Sequence, residues 1–369
     1  MTVESPPAIK TPVKQLDHIQ ALRGVAALMV VVSHLLIIER KYSVDQILGD
    51  WAIYGMAGVD LFFVISGFIM VYVMWDRPRG IKAAGEFLWG RASRIYPLYW
   101  VVSLVLLALW LVRPDMVFSS IDAPPDIVKS FALFPDDREP LLAVGWTLVH
   151  EMYFYLVFAV IMLLPRGWLF PSLVLWMSVI FAGEFFSVIA LSENTVIKIV
   201  FSPLTHEFIL GAGAAFIFKL LHEHDPTPVR RRWIVFIILF ALMSLINAIR
   251  DAEFPLDEVE RVDDFFIFAT LMVYGCVAMD FRKIKVWKPL VTLGDWSYSL
   301  YLTHVLSLTV MGRLWSNFSS DTRIDNVVIL LFMVAVTIAV SGLVYHYIER
   351  PMIKAARKMR RRLFRTSPV

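Results

Sequence analysis

The stretch Ala21-Leu22-Arg23-Gly24-Val25-Ala26-Ala27-Leu28-Met29-Val30-Val31-Val32-Ser33-His34-Leu35-Leu36-Ile37-Ile38 decides the fold. As a helix rising 1.5 Å per residue it is about 27 Å long, close to the ~30 Å of hydrocarbon in a bilayer. A helix on the surface of a soluble protein alternates an apolar stripe with a polar face, and this run is apolar almost all round. It reads as a membrane span. A polar segment, residues 1–15, precedes it and Glu39-Arg40-Lys41 follows it with no small-residue cleavage site, so the run is expected to be a retained helix and not a signal peptide.

The rest of the chain repeats the pattern. The 369 residues are 58% hydrophobic and 14% aromatic with only 18% charged, and the mean hydropathy is +0.67. That composition excludes a cytosolic enzyme. Apolar runs bounded by charge or Pro/Gly fall near 21–38, 52–75, 94–112, 144–164, 168–190, 203–221, 233–249, 264–281, 290–311 and 326–348. The predicted fold is therefore all-α, a polytopic bundle of about ten transmembrane helices. One cysteine, Cys276, makes neither an internal disulfide nor a thiolate metal site.

Charge sets the orientation. Most of the 35 Lys and Arg residues lie in the N-terminal segment, alternate connections and the C-terminal tail, so both termini are expected in the cytoplasm. Acidic residues crowd the opposite loops: Asp122, Asp126, Asp136, Asp137 and Glu139 near 113–143, and Asp251, Glu253, Asp257, Glu258, Glu260, Asp263 and Asp264 near 250–263. The basic tail, residues 352–369, reads as attracted to anionic lipid headgroups rather than to nucleic acid.

Ionisable groups inside spans cost at least ~2.5 to 3.5 kcal/mol each and need a partner, a wet cavity or a task. They are Arg23, His34, Asp60, Glu151, Glu184, Glu207, Asp295 and His304. His34, Asp60, Glu151 and His304 fall at similar depth, in the outer half of the membrane. Arg23 and His34 are eleven residues apart, which at ~100° per residue brings them to within ~20° of one helix face and ~16 Å apart along it. Arg91 and Arg94, at i, i+3 spacing, follow Arg77, Arg79 and Lys82 at the cytoplasmic mouth, a seat for phosphates. The pattern suits a long substrate with an anionic head in the cytoplasm and a reactive tip in the bilayer, the shape of acyl-coenzyme A. Each group also has a plainer reading: histidines bonded to backbone, arginines as positive-inside anchors, Asp60 and Glu151 as counter-charges. A metal held by His34, Asp60, Glu151 and His304 ranks low, and none is expected.

Six segments carry a resemblance to a known family. They are Leu16-Asp17-His18-Ile19-Gln20-Ala21-Leu22-Arg23-Gly24 running to His34, Gly58-Val59-Asp60-Leu61-Phe62-Phe63-Val64-Ile65-Ser66-Gly67-Phe68, and Arg91-Ala92-Ser93-Arg94-Ile95-Tyr96-Pro97-Leu98-Tyr99. Later come Trp146-Thr147-Leu148-Val149-His150-Glu151-Met152-Tyr153-Phe154-Tyr155, Ser297-Tyr298-Ser299-Leu300-Tyr301-Leu302-Thr303-His304 and Ile348-Glu349-Arg350-Pro351. In this order they resemble the membrane-bound acyltransferase 3 family, and within it the bacterial exopolysaccharide O-acetyltransferases, over residues 16–351. Thr147 stands where the family often has Ser, and keeps the hydroxyl.

The resemblance implies a multi-pass protein of the bacterial inner membrane. Such a protein moves an acetyl or other short acyl group from acetyl-CoA to a hydroxyl of a surface or exopolysaccharide sugar or its lipid-linked precursor. His34 is then the essential histidine and Arg23 its companion on the helix. On the reading of the residues themselves His34 acts as the base, with Asp60 or Glu151 orienting its imidazole, Arg23, Arg91, Arg94 and Tyr99 on the donor, and Trp146, Tyr153 and His304 on the carbohydrate acceptor. A covalent acyl-histidine is the alternative mechanism. The rival classes are a proton-coupled transporter or flippase of an envelope glycan precursor, which moves substrate without covalent change, and a scaffold whose buried charges are structural.

Overall fold

A computed structural model describes residues 16–43, 45–114, 124–224, 229–251, 258–316 and 323–364. Among these residues ten long helices follow one another: α1 (Asp17–Tyr42), α2 (Ala57–Met74), α3 (Ile81–Val112), α4 (Gly145–Ile161), α5 (Leu169–Phe185), α6 (Leu204–His224), α7 (Arg231–Asp251), α8 (Glu258–Phe281), α9 (Lys288–Trp315) and α10 (Arg323–Val344). An amphipathic helix, α11 (Arg350–Phe364), carries the basic tail, and short helical turns occupy Asp50–Met56, Ile127–Ala132, Val188–Leu191 and Thr195–Val200. No strand occurs among the described residues. The N-terminal residues 1–15, Asp122 and much of the acidic loop near 250–263 lie outside them.

The ten apolar runs thus become ten helices, with differences at the ends. The run at 94–112 belongs to a longer helix that starts at Ile81 and passes through Pro97, so Arg91 and Arg94 sit on one continuous element. The run at 52–75 opens as a 3₁₀ helix, Asp50–Met56, before α2. The run at 168–190 stops at Phe185, because Ser187 adopts a left-handed φ of 52°. The last run ends at Val344 and passes through a π-helical turn, Tyr345–Glu349, into α11.

Among the described residues six helical segments are long and apolar enough to cross a membrane, and three shorter helices, Gly145–Ile161, Trp233–Ile246 and Phe265–Phe281, are predominantly apolar. Lipid is as apolar as leucine, so such helices associate through close packing and internal hydrogen bonds rather than through a hydrophobic drive. Small residues provide the close packing. A Cβ on Gly294 of α9 would stand 1.8 Å from the Gln20 carbonyl oxygen, and one on Gly24 of α1 would stand 2.8 Å from that of Leu290. The parallel helices α1 and α9 therefore touch backbone to backbone. Gly67 of α2 and Gly211 of α6 do the same, each with a virtual Cβ 2.0 Å from the other helix's carbonyl oxygens, those of Phe208 and Val64.

The interior of the bundle holds fully buried aromatics, among them Phe68, Phe154, Phe158, Phe208 and Phe218, while Val160, Leu175, Leu239 and Leu331 face outward. Helix α9 reverses the soluble rule: Ser297, Ser299, Thr303 and His304 are buried, and Val310 and Leu314 are exposed. That is the signature of a polar interior in an apolar solvent.

Helix α1 has no side-chain cap of its own at Leu16. Asp280, at the end of α8, supplies one: its carboxylate accepts the His18 backbone N–H at 3.0 and 3.1 Å and bonds His18 Nδ1 at 2.8 Å. An anion at the positive end of a helix satisfies an orphan donor and complements the dipole.

Candidate active site

Between α1, α2, α3, α4 and α9 lies a cavity of about 830 Å³, counting its open mouth. Arg23, Arg91 and Arg94 all line it, with Glu151, Tyr155, Tyr298 and Tyr301. The three arginines singled out by sequence are brought together.

Two helices supply the guanidiniums, α1 that of Arg23 and α3 those of Arg91 and Arg94. Arg23 Nη1 donates to Gln20 Oε1 at 3.2 Å, and Gln20 Nε2 donates to Asp295 Oδ1 at 2.7 Å, a relay from α1 to α9. Arg91 stacks over Phe87 and Tyr155, 5.4 and 5.6 Å from the ring centroids, contacts that orient a cation without neutralising it. The Tyr155 hydroxyl donates to Glu151, which also accepts from Ser66 Oγ at 3.0 Å. Glu349, in the π-helical turn, is buried, accepts from Ser299 Oγ at 2.5 Å, and lies within electrostatic range of Arg94 and Arg23. The cavity therefore sets three guanidiniums against the Glu151 carboxylate, with Glu349 buried outside its lining.

Among the described residues the His34 ring meets that of His304, and the hydrogen bonds recorded for it go to no carboxylate. Their rings stand edge to face with centroids 4.8 Å apart. His34 Nδ1 lies 2.9 Å from the Val30 carbonyl oxygen, and His304 Nδ1 lies 2.7 Å from that of Tyr301. A carbonyl oxygen only accepts, so Nδ1 carries the hydrogen in both neutral rings and Nε2 is the bare acceptor. This corrects the expectation that Asp60 or Glu151 fixes the His34 tautomer: the helix's own i−4 carbonyl does so. His304 Nε2 is buried without a hydrogen-bond partner among the described residues.

The histidine pair is not part of the cavity lining. Tyr301 touches both: it lines the cavity, and its ring centroid is 5.8 Å from that of His304. Its hydroxyl is shared with Thr147 Oγ1 at 2.7 Å and the Val144 carbonyl at 3.1 Å, which pins the first turn of α4 to α9.

The other predicted residues lie elsewhere. Asp60 is fully buried in the first turn of α2 and does not line the cavity. The Tyr99 hydroxyl donates to the Ser130 carbonyl at 2.7 Å, binding α3 to the Ile127–Ala132 turn. Trp146 packs edge-on against His150, and Tyr153 donates to the Val200 carbonyl at 3.1 Å. Tyr99, Trp146 and Tyr153 are thus absent from the lining. Sequence reasoning passed over Tyr298, Tyr301 and Glu349, although all three lie in motifs it quoted. Among the described residues no three His, Cys, Asp or Glu side chains gather as a metal site would require.

A helical bundle that sets a half-buried and a buried imidazole edge to face near an arginine-lined cavity has the build of a multi-pass membrane protein. The chain matches a family model described as an acyltransferase domain over residues 16–346, and it belongs to that family. It is 30% identical over 312 residues to the exopolysaccharide production protein ExoZ of Rhizobium meliloti, covering 83% of this chain and 92% of that protein. It is 25% identical to the acyltransferase MdmB of Streptomyces mycarofaciens, with 96% of each chain covered. The peptidoglycan O-acetyltransferase OatA of Listeria monocytogenes is 22% identical across 92% of this chain, which spans only 56% of that longer protein. No solved structure matches.

Proposed function

We propose that this membrane acyltransferase moves an acetyl or other short acyl group from an acyl-CoA to a hydroxyl of an envelope or exopolysaccharide sugar, in the bacterial inner membrane. The observation that carries the reading is the His34–His304 pair, two Nε2 acceptors held next to a cavity with three guanidiniums. Relatives named for exopolysaccharide production and peptidoglycan O-acetylation support a carbohydrate acceptor.

In this reading Arg23, Arg91 and Arg94 hold the donor's phosphates, and the thioester reaches toward His34. His34 Nε2 removes the proton of the acceptor hydroxyl as its oxygen attacks the thioester carbonyl. The Val30 carbonyl, bonded to Nδ1–H, steadies the imidazolium that forms. The collapsing intermediate forms the new ester and expels the coenzyme A thiolate, which recovers the proton from His34. General-base catalysis of this kind is typically worth 10² to 10⁴-fold.

The test is incubation of the purified, reconstituted protein with radiolabelled acetyl-CoA and the host's surface polysaccharide. Label in base-labile ester on the sugar supports the reading. Transport of an unmodified glycan with no label transferred contradicts it.

A further inference from the structure

Helix α11 carries seven cations, Arg350, Lys354, Arg357, Lys358, Arg360, Arg361 and Arg362, and no acid. At ~100° per residue, six of them, all but Arg360, fall in one arc of about 140°, and Met352, Ile353, Ala356, Met359, Leu363 and Phe364 fill the opposite one. The structure shows that only part of the apolar arc is used within the protein. Phe364 lies over Gly85 of α3, its Cε1 3.7 Å from a virtual Cβ there, and Arg360 Nη1 lies 3.6 Å from that of Gly90. Arg360 Nε also pairs with Glu86 Oε1 at 3.8 Å. Met359 and Leu363, on the remaining apolar edge, are 50% and 55% exposed, and Lys354, Arg357, Lys358, Arg361 and Arg362 are all exposed.

We infer that α11 is an interfacial membrane helix that lies along the cytoplasmic leaflet, with Met359 and Leu363 in the acyl-chain boundary and the cationic arc on the headgroups of anionic phospholipid. Three features require such a partner. The exposed apolar edge, Met359 and Leu363, has no apolar cover recorded among the described residues. A cationic arc without counter-acids is complementary to a surface of negative headgroups, each such cation near the leaflet adding to binding. And an amphipathic helix of this composition partitions to the interface rather than spanning it. The third edge, Arg360 and Phe364 on α3, fixes α11 antiparallel to the segment that ends at Arg91. Binding of α11 to the leaflet therefore holds the cytoplasmic mouth of the arginine cavity at the level of the headgroups.

The test follows depth and not acyl transfer, so it stands apart from the proposed activity. A nitroxide is placed on Met359→Cys, and separately on Leu363→Cys, in the full-length Cys276→Ser chain. The chain is reconstituted in phosphatidylcholine alone or mixed equally with phosphatidylglycerol. Collisions with oxygen and with a water-soluble nickel chelate then report depth. In the mixed bilayer both labels should collide with oxygen and be shielded from nickel. Shielding should weaken in phosphatidylcholine alone, and be lost in the mixed bilayer when Lys354, Arg357, Lys358, Arg361 and Arg362 are all replaced by Gln. Labels equally open to nickel in every bilayer would overturn the inference. Equal shielding in every bilayer and in the glutamine chain would overturn its dependence on anionic headgroups.

Discussion

His34 and His304 face one another on parallel helices whose register is fixed ten residues earlier, where Gly24 and Gly294 bring the two backbones into contact. Each imidazole commits Nδ1 to a carbonyl of its own helix, so the helices that position the pair also choose its tautomer. The geometry of the histidine pair depends on backbone packing.

Replacing Gly294 by Ala should therefore disturb the whole bundle. Its Cβ would meet backbone, which cannot swing aside, and the expected loss is about 1 to 3 kcal/mol. Gly213→Ala, whose Cβ meets nothing within 4 Å, should be neutral or gain up to about 1 kcal/mol from helix propensity. The single, buried Cys276 gives the measurement: a thiol-reactive dye should label Gly294→Ala at a lower temperature than the parent, and Gly213→Ala no earlier.

The cap on α1 predicts a second loss. Asp280→Ala leaves two His18 donors without their acceptor and should cost about 0.5 to 2 kcal/mol or more in the same dye assay. His18→Ala keeps the backbone bond and should cost less.

Donor and acceptor roles separate kinetically. Arg91→Ala or Arg94→Ala should raise the KM for acyl-CoA and leave that for the acceptor nearly unchanged. Equal rises in both would assign these arginines a structural part.

The outer loop predicts a dependence on pH. Hydrogen bonds from Arg138 and then Lys129 hold the Asp136 carboxyl well below the usual carboxylate range, with contacts of 3.2 Å to Arg138 Nε and 2.8 Å to Lys129 Nζ. A depressed pKa contributes stability that is fully present above the unfolded value of about 4 and is lost only as pH falls through the folded one. Amides of residues 126–138 should thus keep their hydrogen-exchange protection at pH 4 and lose it in stronger acid. Arg138→Ala should move that loss up toward the ordinary Asp range. Loss at the same pH in both proteins would contradict the assignment.

The number of helices was legible because hydropathy is a local property, written in each run separately. The arginines were legible too, since Arg91 and Arg94 share one helix face and Arg23 faces the same interior. What lines a cavity is decided by which helices become neighbours, and α1 meets α9 across some 270 residues of chain. Nothing local tells that Tyr301 reaches the cavity while Tyr99, Trp146 and Tyr153 spend their polar atoms or rings on nearby turns and side chains. The His34 tautomer was misread for a related reason. A carboxylate partner is the familiar arrangement, but a histidine within a helix always has the i−4 carbonyl within reach. Glu349 went unassigned because it sits beyond the last apolar run, and only the π-helical turn carries it back toward Arg23 and Arg94.

The central claim is that His34 is the base of an acyl transfer from a coenzyme A thioester. The measurement is transfer of label from radiolabelled acetyl-CoA to surface polysaccharide by the reconstituted parent and by His34→Ala, both shown to be folded by the protection of Cys276. The account predicts ester-linked label with the parent and a fall of at least about 10² to 10⁴-fold with the variant. Equal transfer by the two folded proteins would contradict it.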